Sequence, residues 1–222
     1  MNYTSIIECN RKTFETEFNN TDDELFYQYL SNDIISIAKL ANKYSGLLYG
    51  GIVRSFMLRK EDTRDIDIWF KNETDKDNFV KELEQYWTAT QINLENGMYD
   101  KTSYKIISQE TKFSYNVDCV IDEEFTITDF NVNCFTFNGS YVSFEASNLK
   151  CGTKFDYKEA LNDVYNKRMK YSKIYYDNRE NGQYCLRIFK FTSKGWEIYN
   201  DKYNDKAINM KIENKYFPVV CN

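Results

Sequence analysis

The chain of 222 residues contains no histidine, a single proline and only 8 glycines. Without histidine there is no His-based triad and no side chain that ordinarily titrates near neutral pH. The six cysteines (Cys9, Cys119, Cys134, Cys151, Cys185 and Cys221) are scattered with no paired short spacing, which argues against a zinc centre. The same scatter favours a reduced, cytoplasmic setting over a disulfide framework. Chemistry then falls to carboxylates, lysine, tyrosine, cysteine or a hard cation such as Mg2+ or Mn2+ held by oxygen ligands. The lone proline, Pro218, lies near the C-terminus, so no proline-rich linker marks a domain boundary. No apolar run approaches the roughly 18 residues of a membrane span, and MNYTSIIECNRK lacks a signal-peptide pattern, so no membrane partner is expected.

What the chain does have suits a globular core: 42% hydrophobic and 17% aromatic residues, enough for one large domain or a domain with an appendage. The net charge of −5 conceals an asymmetry. Residues 150–222 carry fifteen basic and nine acidic side chains, net +6, leaving fourteen basic and twenty-five acidic, net −11, in residues 1–149. An acidic front and a basic back suit a metal-carboxylate centre beside a polyanion-holding region, or two solvated surfaces that differ by chance.

Periodicity divides the chain into elements. TDDELFYQYLSNDIISIAKLANKYSG reads as a long helix with Thr21 or Asp22 as N-cap, Gly46 as stop, and Leu25, Tyr29, Ile34, Ile37 and Leu40 as its apolar stripe. LLYGG reads as a short strand entering a turn, IVRSFMLRK as a helix that starts there, and RDIDIWF as a strand. DKDNFVKELEQYW is an amphipathic helix burying Phe79, Leu83 and either Tyr86 or Trp87. TSYKIISQ and KFSYNVDCVI alternate as a hairpin with its break near Glu110. DFNVNCFTFNGSYVSFEA reads as a short helix or loop followed by a strand. DYKEALNDVYNKRMKY and GQYCLRIFKFTSKGWEIY read as helices, with Phe189, Phe191 and Trp196 assigned to the core.

The chemistry concentrates in three places. Gly50-Gly51 allows a tight turn or a close backbone approach, and a helix opening there presents N–H groups to phosphates. In DIDIWF the alternation sets Asp65 and Asp67 on one face of a strand and Ile66 and Ile68 on the other. Two carboxylates side by side repel, so positive charge is expected between them. Asp118, in the alternating strand YNVDCVI, supplies a third carboxylate. Three carboxylates on neighbouring strands suit two divalent ions clamping a phosphoryl transfer, and Asp118 is also placed to take a proton from an attacking hydroxyl.

In order and spacing, GGIVRSFML…RDIDIWF resembles the GGxVRD…DxD signature of the polymerase-β-like nucleotidyltransferases, above all the branch of CCA-adding tRNA nucleotidyltransferases and bacterial poly(A) polymerases. TDFNVNCFTFNG resembles that branch's RRDFTxNAxAY motif through Asp129, Phe130, Asn131, Val132 and Asn133. CLRIFKFTSKGWEI resembles its LRAxRFAxxLGFEI helix through Leu186, Arg187, Lys190, Phe191, Gly195, Trp196, Glu197 and Ile198. The resemblance runs over roughly residues 45–200. Departures are visible: Ser55 stands for the last aspartate of GGxVRD, and Ile127 and Thr128 for the arginine pair. Within the family's EDxxR motif, Glu180 matches, while Asn181 and Tyr184 replace the aspartate and arginine.

The resemblance implies an α+β fold, a mixed sheet flanked by helices forming a catalytic head over residues 1–150, followed by a short basic helical neck over 151–222. It implies template-independent transfer of a nucleoside monophosphate from an NTP to a hydroxyl, most readily an RNA 3′ end, with Mg2+ or Mn2+ on Asp65, Asp67 and Asp118. Gly50, Gly51, Arg54, Asp129, Asn133, Asn181, Tyr184 and Arg187 would then meet the nucleotide. Lys167, Arg168, Lys170 and Lys190 would face RNA, although NKRMKYSK is also an ordinary solvated helix face. A protein partner or an oligomer would replace the family's body and tail, which begin near where this chain ends. The same fold also serves enzymes that modify proteins or small molecules, and modules that bind nucleotides without turnover.

Overall fold

The computed structural model describes residues 22–58, 64–92, 101–123, 125, 129–144, 155–170 and 181–199, with only the backbone described for 22–31 and 181–186. The fold is α+β. Its first helix, α1 (Asp22–Lys43), leads into β1 (Leu47–Tyr49), α2 (Gly51–Leu58), β2 (Asp65–Phe70), α3 (Glu73–Leu83) and β3 (Trp87–Ile92). Strands β4 (Lys101–Ser108), β5 (Ser114–Ile121), β6 (Phe135–Phe137) and β7 (Val142–Phe144) complete one sheet of seven strands, in the order β3-β4-β5-β2-β1-β6-β7. Within this sheet, among the described residues, β2 and β5 alone run parallel to each other; every other neighbouring pair is antiparallel.

The alternation in β2 sets the sheet's two faces. Ile66, Ile68 and Phe70 are almost wholly buried, while Asp65 is exposed and Asp67 half-buried. On the buried face Phe70 packs against Phe79 of α3 at 5.3 Å between ring centroids. Trp87, rather than Tyr86, joins this core: Tyr86 keeps 60% of its surface exposed. A buried carboxylate ties α1 to the same face. Asp33 accepts from Tyr115 Oη at 2.8 Å and from Thr111 Oγ1 at 2.7 Å, joining the helix to β5 and to the turn after β4. Such a buried carboxylate is tolerated because its oxygens are satisfied.

Gly46 ends α1 differently from the sequence expectation. The left-handed residue is Ser45, at φ 58°, while Gly46 is required for space: a Cβ there would lie 2.5 Å from Phe70 Cε1. The reading of DFNVNCFTFNGSYVSFEA resolves into a 3-10 turn (Asn131–Asn133) followed by the β6–β7 hairpin.

A compact unit of residues 1–127 and 133–150 carries the seven-stranded sheet, and residues 128–132 belong to a second unit with 151–222. In the second unit the two segments expected to be helical each divide. α4 (Tyr157–Tyr165) is capped by Asp156, which accepts from the Glu159 N–H at 2.8 Å, and stops when Lys167 turns left-handed at φ 52°. Strand β8 (Arg168–Lys170) follows, burying Met169. α5 (Asn181–Ser193) stops before Gly195, at φ 80°, and β9 (Glu197–Tyr199) pairs with β8 in parallel. A left-handed residue in each segment outweighs the helical periodicity, because it turns the chain where the stripe would continue. Phe191 and Trp196 are core residues as expected, whereas Phe189 is 71% exposed on α5.

Gly139, in the β6–β7 turn at φ 88°, lies against α1, where an added Cβ would come within 2.7 Å of the Lys39 backbone nitrogen. Backbone cannot yield as a side-chain tip can, so Gly139→Ala is expected to cost about 2 kcal/mol or more. Urea unfolding checks this: an unchanged midpoint would mean that the turn does not pack on α1.

Candidate functional site

The carboxylate face takes its geometry from sheet register. Asp67 and Asp118 are direct partners across the parallel β2–β5 pair, and Asp65 is partnered with Asn116. Asn116 Nδ2 donates to Asp65 Oδ1 at 2.9 Å. Residues in register on adjacent strands project from the same face, so Asp65, Asp67 and Asp118 emerge together, opposite the apolar core.

Gly50 connects this face to α2. It adopts φ 73°, and a Cβ placed on it would lie 3.1 Å from Asp67 Oδ2. The aspartate therefore rests against the turn from which α2 begins. One residue on, a Cβ on Gly51 would meet Arg54 Nη2 at 3.7 Å, so the guanidinium folds back along the start of its own helix. Arg54 is 5% exposed. The glycine pair thus makes the tight turn that the sequence allowed, and leaves room for the side chains of Asp67 and Arg54. Aromatic rings flank the site: Phe125 meets Tyr49 edge-on at 5.2 Å and Trp69 at 5.9 Å.

Asp118 is engaged from the next strand. Ser103 Oγ donates to its Oδ1 at 2.6 Å and Lys101 Nζ donates to its Oδ2 at 2.5 Å. Neither residue was singled out in the sequence. The usable signal was the alternation of KTSYKIIS, which aligns Lys101 and Ser103 on one face of a strand neighbouring YNVDCVI. Among the described residues, no three His, Cys, Asp or Glu side chains are grouped so as to hold a metal ion. The donor set on this face, all carboxylate oxygen and partly open to water, nevertheless has the chemistry of a hard divalent cation.

The cysteine nearest to Asp118 in sequence does not join this face. Cys119 is fully buried on the opposite side of β5, and burial pushes its thiol up to about 12, so it stays protonated at neutral pH.

The remaining expected site residues are distributed as follows. Asn133 is buried at the end of the 3-10 turn in the first unit. Asp129 and Arg187 belong to the second unit and bond to each other, Arg187 Nε donating to the buried Asp129 carboxylate. Asn181 and Tyr184 are on α5, but their side chains, and Glu180, lie outside the described residues. Of the basic candidates, Lys170 Nζ bonds Glu159 Oε1 at 3.2 Å, and Arg168 Nε lies 3.6 Å from Glu197 Oε2 with its guanidinium over the Tyr199 ring. Lys167, at the left-handed turn, is half-buried, and Lys190 is exposed on α5. The second unit has its own buried carboxylate, Asp163, which accepts from Asn131 Nδ2 at 2.7 Å and Tyr199 Oη at 2.6 Å. Burial raises the Tyr199 phenol, and its bond to Asp163 raises it further.

No family model and no curated protein matches this chain. Among solved structures it is similar to a tRNA-processing enzyme in an apo form (14% identity, TM-score 0.47, covering 87% of this chain and 49% of the other). It is also similar to a CCA-adding enzyme in complex with CTP (13%, TM-score 0.49, 82% and 44%) and with ATP (13%, TM-score 0.49, 85% and 43%). The chain spans less than half the length of each of these. No helix among the described residues is long and apolar enough to cross a membrane.

The close approach of Gly50 to Asp67 is open to a direct test. Gly50→Ala combines a left-handed backbone with a contact on Asp67, and is expected to cost about 1 kcal/mol of stability. It should also weaken Mn2+ binding, whereas Gly139→Ala should lower stability without weakening it. Calorimetric titration of both variants checks the contrast; equal metal affinities would separate Gly50 from the carboxylates.

Proposed function

We propose that this chain is a metal-dependent nucleotidyltransferase of the polymerase-β-like type, moving a nucleoside monophosphate from an NTP to a hydroxyl. The observation that carries the reading is Asp67 lying against Gly50, at the start of α2, with Asp118 beside it in register. The four motifs quoted above fall in the matching order along the chain.

Each residue then has a task. The N–H groups that open α2 at Gly50-Gly51, together with Arg54, hold the triphosphate. Asp65 and Asp67 hold Mg2+ or Mn2+. When bound, the ion polarises phosphoryl oxygen and offsets the charge that develops on transfer. Asp118 orients the attacking hydroxyl and receives its proton, a task that falls to a carboxylate in a chain without histidine. Asn133 is the buried amide closest in sequence to the β6 strand beside β1, and is assigned to ribose or phosphate. Asn181 and Tyr184 are assigned to the base, by one or two neutral hydrogen bonds and stacking. That set favours one base with leakage over ordered addition of C and then A. Asp129 and Arg187, bonded to each other, are assigned to ordering the second unit around that base-reading segment.

The preferred acceptor is an RNA 3′ end, supported by the excess of basic residues in 150–222. A second reading, transfer to a protein or small molecule, is favoured by one observation. Arg168 and Lys170, two of the four cations offered to RNA, already have carboxylate partners in Glu197 and Glu159.

The test is transfer of labelled NTP to total RNA, protein and small acceptors, with Asp67→Asn alongside. That variant should keep its melting temperature and lose transfer by at least ~10³-fold. Normal turnover in Asp67→Asn would sink the mechanism, and label confined to protein would select the second reading.

A further inference from the structure

We propose that Lys101 is the second cation of this site. Its ammonium takes at Asp118 the place that a second divalent ion would take, so the carboxylate face binds one divalent ion and not two. The inference rests on the reading above in which Asp65 and Asp67 hold a metal ion.

The register explains how Lys101 reaches this position. Ser103 is the direct partner of Asp118 across the antiparallel β4–β5 pair, and Lys101 is partnered with Val120, one step diagonal on the same face. Diagonal neighbours on a sheet are within reach of a long side chain. The result is an Nζ–Oδ2 distance of 2.5 Å, with Ser103 Oγ 2.6 Å from the other oxygen. Both oxygens of Asp118 are therefore held from one strand, which fixes the plane of the carboxylate as well as its charge.

Charge balance points the same way. Asp65, Asp67 and Asp118 bring three negative charges to one face. A second divalent ion would have to evict Lys101 from Asp118 or stand beside it, where two cations a few ångströms apart repel strongly.

Stability is a poor rival explanation for the pair. The Lys101 and Asp118 side chains retain 32% and 26% of their exposure, and ion pairs that open to water contribute little to folding. What such a pair does supply is a fixed positive charge on Asp118, the register partner of Asp67, that needs no free metal. Unlike a metal ion, it leaves no open coordination position.

Counting bound Mn2+ by electron paramagnetic resonance on the full-length, nucleotide-free protein tests this. The wild type should bind one Mn2+ per chain with an uncoupled signal. Lys101→Met should gain a second Mn2+, bound at least about tenfold more tightly than any second ion on the wild type and spin-coupled to the first. Lys101→Arg, which keeps the charge, should stay at one, and Lys101→Gln should repeat the Met result with a polar side chain. Unchanged circular dichroism keeps the comparison to folded protein. Two coupled ions on the wild type, or a single ion on Lys101→Met and Lys101→Gln alike, would overturn the role of Lys101 and leave Asp67-dependent transfer standing. No bound Mn2+ on any variant would overturn the metal reading and this inference with it.

Discussion

Burial of Ile66, Ile68 and Phe70 is the constraint on which the rest of the first unit depends. Those side chains, close to wholly removed from water, commit β2 to one orientation. Because strand side chains alternate, that commitment forces Asp65 and Asp67 outward. A slip of one residue would drive both carboxylates into the apolar layer, at a cost of several kcal/mol for each unpaired charge. The geometry of the carboxylate face therefore inherits its accuracy from the hydrophobic core. The parallel pairing with β5 extends the same logic, because Val117 and Cys119 are buried beside Ile66 and Ile68 while Asp118 emerges next to Asp67.

Much of this was legible in the sequence for a simple reason: the period-2 pattern of DIDIWF and YNVDCVI records which face is wet. The glycine pair was legible because a left-handed turn at Gly50 selects for glycine. Other contributions were not, since they depend on which strand lies beside which. Lys101 and Ser103 read as ordinary polar positions until β4 is placed against β5. Gly46 illustrates a subtler case. It reads as a helix stop, but its requirement is the ring of Phe70, twenty-four positions along the chain.

The second unit shows where helical periodicity misleads. NKRMKY and GWEIY carry apolar residues at spacings that a helix or a strand would both accept. The decision falls to Lys167 and Gly195, whose positive φ values turn the chain and let β8 and β9 pair. The turn also changes what the basic residues can do. On one continuous helix Arg168 and Lys170 would share a solvated stripe. On a strand they alternate around buried Met169 and are drawn to Glu197 and Glu159. Two of the cations that the sequence offered to a polyanion therefore already sit against carboxylates. Phe189, exposed on α5 where a core residue was expected, departs in the opposite sense, as apolar surface open to water.

The hydrogen bond from Tyr115 to Asp33 joins positions 82 apart in the chain. The parallel pairing of β2 with β5 likewise waits for the α3 helix and the β4 hairpin to be threaded between them. Contacts this distant reward folding only after long loops have closed, which slows the search relative to a helical bundle of the same length. Asp67 and Asp118 share that long-range pairing, so the face they form arises late, from a chain whose topology is already decided. During synthesis on a ribosome, β2 emerges well before its partner β5. A strand in that interval carries an uncovered apolar face, and charges alternating with it, as Asp65 and Asp67 do, are of the kind that oppose association with other chains.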